Sequence, residues 1–249
     1  MGIDVPTTLT RPRTNARGAI ARARDHIFFG AMAISAATVV VIGFAPSYYF
    51  RAHFGRPPVT PVQAVHGAVF STWILLSMIQ PLLVGARFTA LHRRLGVLGA
   101  VVAAAVVVSG AFMAITAARA GHAPPGWDAR AFLAIPLFEV ILFAPMVVAG
   151  LWLRRRPQAH KRLLLLATVS ILGAPSARLP QAIAAAWDPF FFVPDMFVLA
   201  LVAYDLATRG RLHPATCWGG LALVVSQPLR GALGRSAAWI AVAGLLVHR

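Results

Sequence analysis

Long apolar runs alternate along the chain with short stretches rich in charge, glycine and proline. The runs occupy residues 27–50, 60–86, 91–118, 129–153, 160–187, 190–208 and 215–229. Most of them reach the roughly 20 residues that an α-helix needs to cross a bilayer at about 1.5 Å of rise per residue. The pattern predicts an all-α polytopic transmembrane helix bundle of about seven spans, counted on that length criterion. Tyr48, Tyr49 and Phe50 predict an aromatic belt at the far end of the first run. Pro175 and Pro180 fall inside the fifth run and predict a kink near Arg178, because each proline removes a backbone hydrogen bond. The last apolar piece, 234–247, falls short of the roughly 20 residues of a span and predicts an interfacial or partly inserted helix.

Composition supports this reading. Hydrophobic residues make up 59% of the 249 positions and charged residues 12%, and the mean hydropathy is +0.73, a balance outside the soluble globular range. Basic residues number 23 against seven acidic ones, a net charge of +16. These cations sit beside the apolar runs rather than in a soluble basic module, so the partner they imply is the lipid bilayer and not nucleic acid. The single cysteine, Cys217, excludes an internal disulfide or a multi-cysteine cluster. Residues 1–25 read as a cytoplasmic basic tail and 26–249 as the transmembrane helical domain.

The distribution of cations sets the expected orientation. Arg11, Arg13, Arg17, Arg22 and Arg24 precede the first run. Arg87, Arg93 and Arg94, then Arg154 to Arg156 with Lys161 and Arg162, then Arg209 and Arg211, occupy alternate connections on the same side. The opposite connections hold Arg51, Arg56, Arg119 and Arg130. The excess places the amino terminus inside.

Polar residues within apolar runs are costly in lipid and are therefore functional candidates. Leu91-His92-Arg93-Arg94-Leu95 and Ala159-His160-Lys161-Arg162-Leu163 are near copies, each opening an inside-to-outside helix. They suggest an internal hairpin repeat with His92 and His160 at one depth. Two neutral imidazoles so placed suit the axial ligation of haem b, with Arg93 and Arg94 available to its propionates. Gln80 and His66, near the inner and outer ends of the second run, are further cofactor candidates. A second use of this layer is a zinc or iron site made of His92, His160, His213 and Asp205. Plain structural roles stand beside both: the histidines as interfacial anchors, and Asp205 as the i+4 partner of Arg209. In the outer half, Arg178 and Asp195, joined by Glu139, suggest a buried ion pair. Such residues line a quinone or solute pocket, pass protons, or hold the spans together. Gly67, Gly96, Gly99 and Gly110 read as close-packing positions between helices.

His66-Gly67, Gln80 with Arg87, His92 to Gly96, His160 to Leu163 and Tyr204 to Thr216 together resemble the recurrent motifs of a group of bacterial multi-pass membrane proteins without an assigned activity. This resemblance covers most of the chain and implies a multi-pass protein of the bacterial inner membrane. A looser similarity is to bis-histidine b-type membrane cytochromes of the ferric-reductase kind, although two histidine pairs in mid-span are not found here. Two functions follow as expectations: haem or metal binding at the inner face with membrane electron transfer, involving a quinone or other membrane proteins; or a non-enzymatic transport, binding or assembly role.

The orientation can be checked directly. Reporter fusions should read outside at Gly121 and inside at Gln158, and the reverse pattern would invert both polar layers.

Overall fold

The computed structural model describes residues 14–179 and 188–248, and all regular structure among the described residues is helical. The helices are α1 (Thr14–Phe44), α2 (Pro61–Gly85), α3 (Thr89–Arg119), α4 (Ala129–Phe132), α5 (Ala134–Trp152), α6 (Pro157–Ser170), α7 (Gly173–Ser176), α8 (Phe192–Arg209), α9 (Pro214–Gly234) and α10 (Ala237–Val247). Four segments are long and apolar enough to cross a membrane: Gly18–Tyr49, Pro61–Gly85, Thr89–Arg119 and Ala129–Arg155.

Local sequence explains the ends. The Thr60 hydroxyl accepts from Gln63 N–H (3.3 Å) while the Gln63 side chain accepts from Thr60 N–H (3.0 Å), a reciprocal cap ahead of Pro61. Asp128 caps α4 by accepting from Arg130 N–H (2.9 Å) and Ala131 N–H (3.2 Å). Gly210 closes α8 at φ 66°, a left-handed value natural to glycine. The α2–α3 turn is tight enough to force Arg87 to φ 66°, a conformation uncommon for any other residue type.

Two predicted features change. The region expected to be a tail is helical from Thr14, with residues 1–13 outside the described set, and it runs unbroken into the first long helix. The fifth run is not one helix. α6 stops at Ser170, and α7 restarts at Gly173. Pro175 has no N–H for the carbonyl of Ile171, and its ring crowds that carbonyl, so the helix breaks a turn before the proline rather than near Arg178. The remainder of that run, with Pro180, lies outside the described residues.

α2 packs mainly on α3 and α5 on α6, and α3 and α5 join the two pairs. α1 lies against α2, and α9 crosses α5 and α6. The core where these meet is formed by Val106, Phe143, Leu166 and Leu201 from four different helices. Just past α1, Tyr48 and Tyr49 face inward to α2, the Tyr48 hydroxyl donating to Ala64 O (3.2 Å) and Tyr49 sharing a hydrogen bond with Ser71 (2.7 Å), while Phe50 is exposed. Gly67 lies under the Tyr48 ring and Gly110 against Val140, as close-packing glycines should. Gly99 faces open space, so its expected packing role is not met.

α1 and α7 approach closely through their backbones. A Cβ on Gly43 would stand 2.9 Å from Pro175 Cα, and backbone yields less readily than a side chain. Gly43→Ala should therefore lower stability by about 1–3 kcal/mol, read as a fall in detergent-solubilised melting temperature. Gly99→Ala should leave it unchanged. Equal effects would show that the α1–α7 contact is looser than described.

Candidate functional site

α3, α6 and α9 begin at one end of the bundle, here called the basic end. His92 stands in the first turn of α3 and His160 in that of α6. Their ring centroids are 6.4 Å apart with the planes at 88°. The structure thus brings together the two histidines of the repeated pentapeptide.

Each ring is fixed from behind. The last turn of α5 leaves carbonyls without helical partners. The His160 Nδ1 reaches Gly150 O (2.8 Å) and the Arg154 guanidinium reaches Leu151 O (3.3 Å). A carbonyl only accepts, so His160 Nδ1 carries the proton and Nε2 presents a lone pair. Gln80, on α2, holds His92. In its fully satisfied orientation the amide donates to His92 Nδ1 and to the His92 carbonyl (3.3 Å), and accepts from Gly96 N–H (3.1 Å). That orientation leaves the proton on His92 Nε2; turning the amide over would move it to Nδ1 and free the Nε2 lone pair. In the satisfied orientation His92 thus presents an Nε2–H donor and His160 an Nε2 lone pair; turning the amide over would cost its bonds to His92 O and Gly96 N–H. Arg93 and Arg94 are exposed beside it.

The other proposed ligands are used elsewhere. Arg162 and Asp205 form an ion pair whose side chains are both 0% exposed. Asp205 also accepts from His213 N–H (3.0 Å) and from the Thr216 hydroxyl (2.6 Å). Its partner is thus Arg162 rather than Arg209. Among the described residues no three His, Cys, Asp or Glu side chains are grouped so as to hold a metal. The set of His92, His160, His213 and Asp205 does not form, because Asp205 is saturated by other donors. His213 Nδ1 accepts from Ala215 N–H (3.0 Å), capping α9, which leaves the proton on Nε2. Burial first, then Arg162 and Arg209, holds the His213 imidazole below its ordinary pKa and so neutral.

The same network extends to α1. Gln158 accepts from Arg162 through its side-chain oxygen (2.6 Å) and donates to Asp25 (2.9 Å). Lys161 (2.5 Å) and the Tyr204 hydroxyl (2.5 Å) also meet Asp25. Asp25, Gln158, Arg162, Tyr204 and Thr216 were not expected as a unit. The available signal was that Asp25 is a lone acid in a basic stretch and that Arg162 follows Gln158 by one helical turn.

The opposite half is arranged differently from expectation. Arg178 is exposed; its guanidinium donates to Ala174 O (2.7 Å) and lies over the Phe44 ring at 4.7 Å. Asp195 accepts from Gln227 (2.6 Å). The expected Arg178–Asp195 bridge is absent from the ion pairs of the described residues, because Arg178 turns towards α1 while Asp195 faces α9. Glu139 is 8% exposed and shares the lining of a cavity of about 10 Å³ with Arg230, 3% exposed, and Gln227. Arg230 donates to the Ser226 hydroxyl (2.8 Å) while its Nε has no partner among the described residues. Arg230 was missed, though a lone arginine after Pro228 at the end of an apolar run was a visible signal. His66 lies tilted against Phe70 with ring centroids 4.2 Å apart, its buried Nδ1 without a hydrogen-bond partner among the described residues. Fourteen residues along α2 from Gln80, about 20 Å away, it takes no part in the His92–His160 site.

No protein-family model, curated protein or solved structure matches the chain.

Because the Arg162–Asp205 pair is fully buried, removing one partner strands a charge. Arg162→Ala should cost about 3–5 kcal/mol, seen as a large fall in yield and melting temperature. Arg162→Met with Asp205→Leu should recover much of the loss. A single variant with wild-type melting would mean that water reaches Asp205.

Proposed function

We propose that this is a bacterial inner-membrane protein of about seven spans with its amino terminus inside. It holds haem b between His92 and His160 at the inner face and serves membrane electron transfer. The observation that carries the reading is the meeting of two histidines from separate hairpins, each anchored through Nδ1. The centroids of the two imidazoles are 6.4 Å apart, near enough for both rings to reach one group.

As it stands His160 fits the group, and His92 would fit it only with the Gln80 amide turned over. His160 is held in the tautomer that offers Nε2, as ligating histidines usually are by a carbonyl or carboxylate behind them. His92 reaches the same state when Gln80 turns its oxygen to Nδ1. Arg93 and Arg94, exposed next to His92, would be available to the haem propionates. When bound, the haem would supply reversible one-electron chemistry. The protein's own part is to fix both rings, set their tautomers and place cations beside the acids. A quinone or another membrane protein is the natural electron partner at such a site.

A second reading, a transport or binding role, is favoured by the enclosed space between Glu139 and Arg230. Charged residues kept within a bundle commonly mark a solute or proton path. The two readings separate on colour and on ligand loss.

Purified protein from haem-replete cells should show a Soret band with paired visible bands. His92→Arg and His160→Arg should each remove it nearly as completely as both together, because guanidinium has no lone pair to offer. Gln80→Glu, whose carboxylate accepts from Nδ1–H, should retain haem, whereas Gln80→Leu should weaken it. Haem, iron and zinc per protein should be measured in each case. A colourless wild type without these metals would defeat the haem reading and leave the second.

A further inference from the structure

A groove of about 610 Å³ opens on the outside of the bundle at the basic end, where α5 finishes and α6 and α9 begin. Its size lies within the range of pockets for small amphiphiles. Leu153, Leu163 and Trp218 line its apolar length, and Arg156, Gln158 and His213 its polar part. Trp218 is 71% exposed beside it, the position that indole favours at a membrane interface.

The electrostatics of the groove have one sign. No residue lining it is acidic. Arg156 is exposed at the rim, and His213, whose Nδ1 is engaged by Ala215, offers only an Nε2–H donor. Gln158 already bridges Arg162 and Asp25, so its side chain is satisfied without a ligand. The positive ends of the α6 and α9 dipoles add to the same field. An occupant complementary to this surface has an anionic head and an apolar tail. A free inorganic anion would leave the apolar walls bare, and a neutral lipid would leave the donors unmet.

We propose that the groove binds one anionic phospholipid, its phosphate at Arg156 and His213 and an acyl chain along Leu153, Leu163 and Trp218. Neither His92 nor His160 lines the groove, so the proposal does not require the haem reading and rests only on the placement of the bundle in a bilayer.

The test is native mass spectrometry of the full chain released from nanodiscs of mixed phosphatidylglycerol and phosphatidylcholine. Wild type should keep one phosphatidylglycerol under activation that strips phosphatidylcholine. Arg156→Gln, which removes the charge, and Ala149→Phe, which fills the groove, should each lower that retention severalfold at unchanged melting temperature. Arg156→Lys should retain most of it. Arg22→Gln, an exposed cation at the same end outside the groove, should behave as wild type. Equal retention of phosphatidylcholine, full retention in Arg156→Gln or Ala149→Phe, or equal loss in Arg22→Gln would each overturn the proposal. The last would show diffuse attraction to the basic surface.

Discussion

The contact between Arg162 and Asp205 fixes more of this structure than any other. Two charges removed from water are tolerable only when their geometry is good and their remaining donors and acceptors are met. That requirement sets the rotation of α6 about its axis and the place of α8 beside it. His213 N–H and Thr216 then bring the start of α9 to the same carboxylate. Through Gln158 the constraint passes to Asp25, and so to α1. His160 stands two residues before Arg162, so the ring that faces His92 is oriented by an ion pair it never touches.

The two ends of the bundle contrast in how they treat polarity. At the basic end nearly every buried donor meets an acceptor, which rigidifies the helix starts and gives the histidine pair a fixed frame. Towards the other end, Glu139 and Arg230 share a small space instead of a direct bond. Buried space of that size between opposite charges suits a water molecule better than a side chain. Rigidity therefore lies beneath the proposed ligand site, and adaptability lies across the bundle from it.

Much of the fold was legible because hydrophobic run length is a strong signal. The runs at 60–86, 91–118 and 129–153 correspond closely to α2, α3 and the α4–α5 segment. The repeated pentapeptides were a sound guide to which histidines meet, because two similar helix openings in paired hairpins share a depth. Partner choice among charges was not legible. Asp205 has Arg209 one turn away in sequence yet pairs with Arg162 across a helix interface, and Arg178 turns to the Phe44 ring. Such choices depend on helix rotation, which a hydropathy pattern leaves open when most faces are apolar. The break before Gly173 was misplaced for a different reason: proline acts on the carbonyl four residues earlier, so its effect is displaced from its position in the sequence.

The short length of α6 has a consequence for biogenesis. At 14 residues it falls well below the roughly 20 that span a bilayer, and it carries Lys161 and Arg162 near its start. An arginine or aspartate in a lone inserting helix costs up to about 2.5–3.5 kcal/mol, the value at the centre, and less towards the ends. In a membrane, α6 and α8 are therefore poor candidates for independent insertion. Each becomes acceptable when the other neutralises it against the surface already formed by α1, α2, α3 and α5. The order of synthesis suits this sequence of events, since the long apolar helices leave the ribosome first. The assembly of α6 with α8 would then be governed by charge pairing as well as by hydropathy.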